Sequence, residues 1–145
     1  MAASDGVSVV FACNLNRVRS PMAAAILRRL RGGVVQSCGV YADDADEPDP
    51  FAAQVMAEAG FELGRESRRK LSDLDLQAFD LVITLTPEAR ASAQAQAGRL
   101  AIEHWPIDDP TLAFGSRATI LEAYRAIRDA LVARVEKRFG AESTR

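Results

Sequence analysis

The sequence is poor in the residues that build anything other than a packed core. Its two cysteines, Cys13 and Cys38, are too few for a disulfide framework. With one histidine, His104, they also fall short of a four-ligand zinc site of thiolates and imidazoles, so no metal and no cofactor are expected. No apolar run approaches the roughly 18 residues of a membrane span. The net charge of −2 lacks the basic excess of a dedicated nucleic-acid binder. Residues 1–6 hold Asp5 but no Lys or Arg, and so lack the basic segment of a secretory signal. The apolar stretch 7–12 ends at Cys13 and loosely resembles a lipoprotein processing site. Its shortness and the polar Asn14 and Asn16 argue against that reading. A cytoplasmic location is expected, where Cys13 stays a free thiol. What is present is 145 residues, 48% apolar and 26% charged. That balance suits one globular domain over residues 1–145, serving as a soluble enzyme or a binding module.

Residues 7–12 are apolar and rich in β-branched side chains, as in a buried strand. A polar turn over 13–19 follows, and Ser20-Pro21 has the pattern of an N-cap with proline at the first helical position. Met22, Ile26, Leu27 and Leu30 continue at helical spacing to a stop at Gly32-Gly33. Further strands are expected at 34–37, 79–85 and 100–102, with helices over 51–59 and 87–97 and a helical turn at 73–77. From Ile120 to Phe139 apolar residues step by three and four, predicting a long amphipathic helix. Alternating strands and helices imply a three-layer α/β/α domain on a parallel sheet with right-handed crossovers. Ligands of such sheets bind beyond the carboxyl ends of the strands, where the turn 13–19 lies.

That turn reads Cys13-Asn14-Leu15-Asn16-Arg17-Val18-Arg19-Ser20. A loop of this length before a helix can aim several backbone N–H groups at an anion, and the helix dipole adds positive potential there. The thiolate is the reactive form of cysteine, and such surroundings favour negative charge. Arg19 can fork two donors onto phosphate oxygens, and Ser20 can hydrogen-bond the cysteine sulfur. A nucleophile, an oxyanion cradle and a guanidinium together suit phosphoryl transfer through a covalent cysteine intermediate. Sixteen of the 145 residues are Arg, so an Arg six positions after a given Cys arises by chance about one time in nine. The signal is the whole context: strand, Cys-x5-Arg-Ser-Pro, helix. Charge order agrees with it. Residues 6–42 contain no Asp or Glu but include Arg17, Arg19, Arg28, Arg29 and Arg31. The acids gather in the following loop, at Asp43, Asp44, Asp46, Glu47 and Asp49.

On these residues the sequence resembles the low-molecular-weight protein tyrosine phosphatase family. Val10 to Cys13 and Arg19-Ser20-Pro21 look like its signature loop. Ser37-Cys38-Gly39 resembles its Ser-x-Gly, whose serine would support Asn16. Asp109-Pro110 resembles its general-acid loop. The resemblance implies a four-stranded parallel sheet of order 2-1-3-4, a phosphocysteine mechanism and a phosphorylated protein or small aryl phosphate as substrate. Catalysis would then fall to Cys13, Arg19 and Asp109. Asn14, Leu15, Asn16, Arg17, Val18, Ser20 and Ser37 would bind phosphate or support the loop.

The chemistry asks for the acid independently, because a leaving phenolate or alkoxide must be protonated, a contribution of about 10²–10⁴-fold. Asp109 is the candidate and Asp108 the fallback. The sequence departs from the family at several points. Leu15 stands where glycine is usual and would be strained if an unusual backbone angle is required there. Val18 replaces a second loop cysteine and Glu66 a supporting histidine. Thr111-Leu112 replaces the aromatic pair after Asp-Pro. The stretch 104–116 is closer to the related thioredoxin-coupled arsenate reductases. Those need two further cysteines after the third strand, where this chain has Thr86 and Ala93. Two alternatives therefore stand beside the phosphatase: arsenate reduction with an external thiol, and a non-catalytic phosphate-binding module. Plainer roles are expected elsewhere: His104 structural, Trp105 packed beneath the acid loop, and Cys38 a small buried hydrophobe. Arg65, Arg68, Arg69 and Lys70 would form a solvated turn, Arg69 being the one that could join the site's support.

Overall fold

A computed structural model describes residues 7–43, 45, 47–64 and 68–140. Four parallel strands, β1 (Ser8–Cys13), β2 (Val34–Gly39), β3 (Leu81–Thr84) and β4 (Ala101–His104), form one sheet in the order β2-β1-β3-β4. Helices α1 (Arg19–Leu30), α2 (Pro50–Glu58), α3 (Pro87–Gln96) and α4 (Arg117–Phe139) complete it. β1 lies in the interior of the sheet, paired along both edges, and helices cover both its faces. Val9, Phe11 and Cys13 join the core under α1, α2 and α4. Val10 and Ala12 join Cys38, Val82 and the α3 residues Ala89 and Ala93 on the other side. The period-two alternation of a strand thus divides one apolar run between two cores.

The helix starts follow local rules, with one exception. Asp49, Thr86 and Ser116 accept from the N–H groups of Ala52, Ala89 and Thr119, and Pro50 and Pro87 open their helices. α1 breaks the pattern. It begins at Arg19, two residues earlier than Ser20-Pro21 predicts, and no side chain caps it. Ser20 lies inside the first turn with its hydroxyl turned to the cysteine loop. β2 runs on to Gly39 rather than ending at 37, because Cys38 and Gly39 pair in register with Ala12 and Cys13. β3 is shorter than 79–85, and β4 extends to His104. The turn expected at 73–77 is two 3-10 turns, Leu71–Asp73 and Leu76–Ala78.

Arg68 is not solvated. Its guanidinium bonds Asp43 at 2.8 Å and the Glu47 carbonyl at 3.1 Å, so the acidic loop supplies its counterion. His104 Nδ1 lies 2.8 Å from Thr84 Oγ1. Trp105 is buried and packs edge-on to Phe11, with Arg134 over its ring. The readings made for residues 1–6, Asp44, Asp46, Arg65 and Glu66 lie outside the described residues. Among the described residues no helix is long and apolar enough to cross a membrane.

One contact between helices carries a pH signature. The buried Tyr124 of α4 donates to Asp49 Oδ2 at 3.4 Å and packs on Phe51 of α2. Burial first, and then the Asp49 charge, push its phenol up to about 12 from 10.0. A folded-state value above the unfolded one means this group stabilises the fold fully below pH 10 and loses that effect as pH rises toward 12. Urea unfolding followed by Trp105 fluorescence should show the stability of the native chain falling more steeply between pH 10 and 12 than that of Tyr124→Phe. Parallel slopes would contradict it.

Candidate active site

The site forms where β1 ends. Cys13 is its last residue, and the chain must turn through residues 14–18 before α1 begins. The loop closes tightly because Asn16 adopts φ 55°, a left-handed conformation that asparagine tolerates better than most side chains. Leu15, where strain was anticipated, has no positive φ; the unusual angle falls one residue later. Among the described residues, the N–H groups of Leu15, Asn16, Arg17 and Val18 donate to no backbone carbonyl. Such amides at the start of a helix are ready to ligate an anion.

Side chains hold the loop from beneath. Asn16 Nδ2 donates to Ser20 Oγ at 2.9 Å and to Ser37 Oγ at 2.8 Å, and its Oδ1 accepts from the Arg69 N–H at 3.0 Å. Ser20 Oγ lies 3.0 Å from Cys13 Sγ and donates to the Cys38 carbonyl at 3.1 Å. A hydroxyl has a single hydrogen. While Ser20 gives it to Cys38, the thiol must be the donor to Ser20. Once the sulfur is a thiolate, the hydroxyl can turn its hydrogen to sulfur instead. Asn14 is anchored from another element, its Oδ1 accepting from Thr86 Oγ1 at 2.6 Å.

In the same cleft, Arg19 donates from NH1 to the Ile107 carbonyl at 3.0 Å, and its NH2 lies 3.6 Å from Asp109 Oδ2. Asp109 Oδ1 is occupied by the N–H and hydroxyl of Thr111, at 2.9 and 2.6 Å. Its Oδ2 is left to face the guanidinium. Cys13, Asn14, Leu15, Arg17, Val18, Arg19, Tyr41, Asp109 and Thr111 line one cleft of about 220 Å³. Asn16, Ser20 and Ser37 stand buried behind it, and Asp108 is exposed outside it. Arg17 is half exposed, its guanidinium 4.0 Å from Asp49.

Cys38 is fully buried and belongs to the core on the opposite sheet face from Cys13. Burial above all, then Cys13, pushes its thiol well above the ordinary range. It is placed neither to trap a sulfenic acid at Cys13 nor to act as a nucleophile.

Three contributors escaped the sequence reading. Thr86 enters that reading only as a residue standing where the arsenate reductases have a cysteine, and Tyr41 does not enter it. Gly39 was a motif letter without a cause. A Cβ at Gly39 would sit 2.6 Å from the Asn16 nitrogen and 2.7 Å from the Asn14 oxygen, both backbone atoms. The loop therefore rests directly on the end of β2, and only glycine leaves room. The cue was its place opposite Cys13 once the two strands pair in parallel.

The chain is similar to known proteins in sequence and in fold. A family model described as low molecular weight phosphotyrosine protein phosphatase matches residues 8–142. A protein-arginine-phosphatase of Geobacillus stearothermophilus is 31% identical over 141 residues, covering 89% of this chain and 91% of that protein. An arsenate reductase of Bacillus licheniformis is 30% identical, covering 90% and 93%. In fold, a tyrosine phosphatase of Erwinia amylovora superposes with a TM-score of 0.79 at 20% identity, covering 94% of this chain and 93% of the other.

The Gly39 contact makes a direct prediction. Gly39→Ala should keep its α/β circular dichroism, lose about 1–3 kcal/mol of stability to overpacking, and bind inorganic phosphate at least tenfold more weakly by calorimetry. Unchanged phosphate affinity would show that the loop does not depend on that contact.

Proposed function

This chain belongs to the low molecular weight phosphotyrosine protein phosphatase family, and on that premise we propose that it is a cysteine-dependent phosphomonoesterase acting on phosphotyrosine in proteins. The observation that carries the reading is the convergence of Cys13, Arg19 and Asp109 on one cleft, beside loop amides that donate to no backbone carbonyl.

The phosphoryl group enters with its non-bridging oxygens on the loop amides and the Arg19 fork, which neutralise the charge that spreads over them. Cys13 Sγ attacks in line. The S–P bond forms as the P–O bond to the leaving group breaks, and Asp109 Oδ2 delivers a proton to the departing oxygen. The same carboxylate then takes a proton from water, whose oxygen attacks the phosphocysteine. The S–P bond breaks, and inorganic phosphate and the Cys13 thiolate are released. Ser20 supports that thiolate with the hydrogen it otherwise gives to Cys38. Thr111 fixes the acid by occupying Oδ1, which leaves Oδ2 for the proton. Leu15 and Tyr41 supply apolar walls for an aryl leaving group. The reaction runs in the cytoplasm within one domain, with no metal and no cofactor.

A second reading rests on Thr111, which gives the wall beside Asp109 a polar edge, and on the 31% identical relative named as a protein-arginine-phosphatase. Phosphoarginine loses its phosphoryl group by the same two displacements. Arsenate would bind the same cradle, but Cys38 lies on the other sheet face, so its reduction would need an external thiol.

Turnover of p-nitrophenyl phosphate in the presence of a chelator tests the reading. Cys13→Ser should abolish it, and Asp109→Asn should lower kcat about 10²–10⁴-fold for an unactivated phenyl ester. Retained turnover in Cys13→Ser would overturn the mechanism. Phosphotyrosine and phosphoarginine peptides compared by kcat/KM decide between the two leaving groups.

A further inference from the structure

Six large apolar residues are exposed among the described residues: Val7, Leu15, Val34, Tyr41, Leu112 and Phe114. Their distribution is uneven. Val7 and Val34 lie at the amino ends of β1 and β2, at the far end of the sheet. The other four gather at the carboxyl end. Leu15 and Tyr41 line the cleft itself, from two different loops. Leu112 and Phe114 follow the cleft residue Thr111 by one and three positions, which keeps the Phe114 backbone within about 11 Å of it. They are the most exposed of the set, at 76% and 86%.

The backbone that carries these two is held in place. The 3-10 turn Pro110–Leu112 is capped by Asp109, and the Ala113 N–H returns to the Pro110 carbonyl at 3.1 Å. Gly115 turns the chain at φ 121°, and Ser116 caps α4 immediately afterwards. A phenylalanine that is 86% exposed beside a cleft contributes almost no burial to the fold. An apolar surface that is already ordered costs less to bury when something binds.

We infer that Leu112 and Phe114 form a docking edge for apolar side chains flanking the phosphorylated residue of a protein substrate, continuous with the walls Leu15 and Tyr41. This rests on the phosphatase reading and narrows it. The favoured substrate is a phosphorylated chain with leucine- or phenylalanine-like neighbours, rather than a small phosphoester. The occupant is the substrate chain because the edge shares a turn with the general acid. A chain whose phosphoryl group enters the cleft beside Asp109 and Thr111 runs next to that turn.

The experiment compares kcat/KM for three substrates: p-nitrophenyl phosphate, a phosphotyrosine peptide flanked by Leu and Phe, and the same peptide flanked by Ser. The native chain should prefer the apolar peptide about tenfold, the scale of one buried interface aromatic. Leu112→Ser/Phe114→Ser should erase that preference and leave p-nitrophenyl phosphate within about twofold. Equal turnover of the two peptides by the native chain would overturn the inference, as would an equal loss on all three substrates in the variant. Sedimentation velocity on both proteins adds one more outcome. A dimer that the double substitution dissociates, with peptide preference unchanged, would assign the edge to self-association and also overturn it. Absence of turnover on every substrate would instead remove the phosphatase reading. Peptide affinity for Cys13→Ser, read by fluorescence anisotropy without hydrolysis, then still decides whether the edge prefers the apolar peptide.

Discussion

The site depends on one side chain amide. Asn16 takes the only positive φ of any non-glycine residue among those described, and its amide then makes three hydrogen bonds, to Ser20, Ser37 and Arg69. Each partner comes from a different element: the first turn of α1, the end of β2 and the segment before the 3-10 turns. A left-handed residue in a short loop turns the neighbouring amides toward one centre. The three bonds keep it from relaxing, and a buried amide left unpaired would cost about 1–3 kcal/mol for each lost partner. The strain and its compensation sit on the same residue. Leu15 can be leucine because Asn16 makes the turn.

The charge pattern has the same economy. Residues 6–42 carry five arginines and no acid, and a segment with no counterweight would lose stability to their mutual repulsion. The acidic loop supplies it. Asp43 takes Arg68, whose side chain is 12% exposed, and Asp49 faces Arg17 from a buried position at the start of α2. Asp49 also accepts from Tyr124 and caps α2, so its carboxylate is solvated by protein donors. Arg19 is treated differently. It leans on a carbonyl, Ile107, and stands 3.6 Å from Asp109. A carbonyl does not cancel its charge, and at that separation the ion pair is looser than a direct hydrogen-bonded one.

Much of this was legible in the sequence, for a physical reason. Strand and helix periodicities are local, and so are proline and aspartate signals at helix starts. The sheet order followed from the resemblance, and every strand and helix expected is present to within a few residues. The cysteine loop was legible because Cys, Arg, Ser and Pro crowd into nine residues between a strand and a helix. What could not be read depends on pairing across the fold. Ser20 has the composition of a cap, but the thiol and Asn16 compete for its hydroxyl and win. Gly39 is required by a loop 23 residues away in sequence, counted from Asn16. Arg68 reads as solvated until the acidic loop folds back onto it. Thr86 and Tyr41 meet the site only through the sheet order, which no local pattern encodes.

The two cysteines show how far register constrains chemistry. Adjacent parallel strands place Ala12 opposite Cys38 and Cys13 opposite Gly39. Residues opposite one another share a face, and neighbours along a strand alternate. Cys13 and Cys38 are therefore one step out of phase, on opposite faces of the sheet, although they are only diagonal neighbours. A disulfide needs Cβ atoms about 3.5–4.5 Å apart with converging vectors, and the pleat turns these two apart. Bridging them would mean slipping β2 by one residue, which would carry Ser37 away from Asn16 and reverse every buried side chain of the strand. The same register that puts glycine under the loop thus keeps the second thiol out of the site. Any redox chemistry at Cys13 must draw its partner sulfur from another molecule.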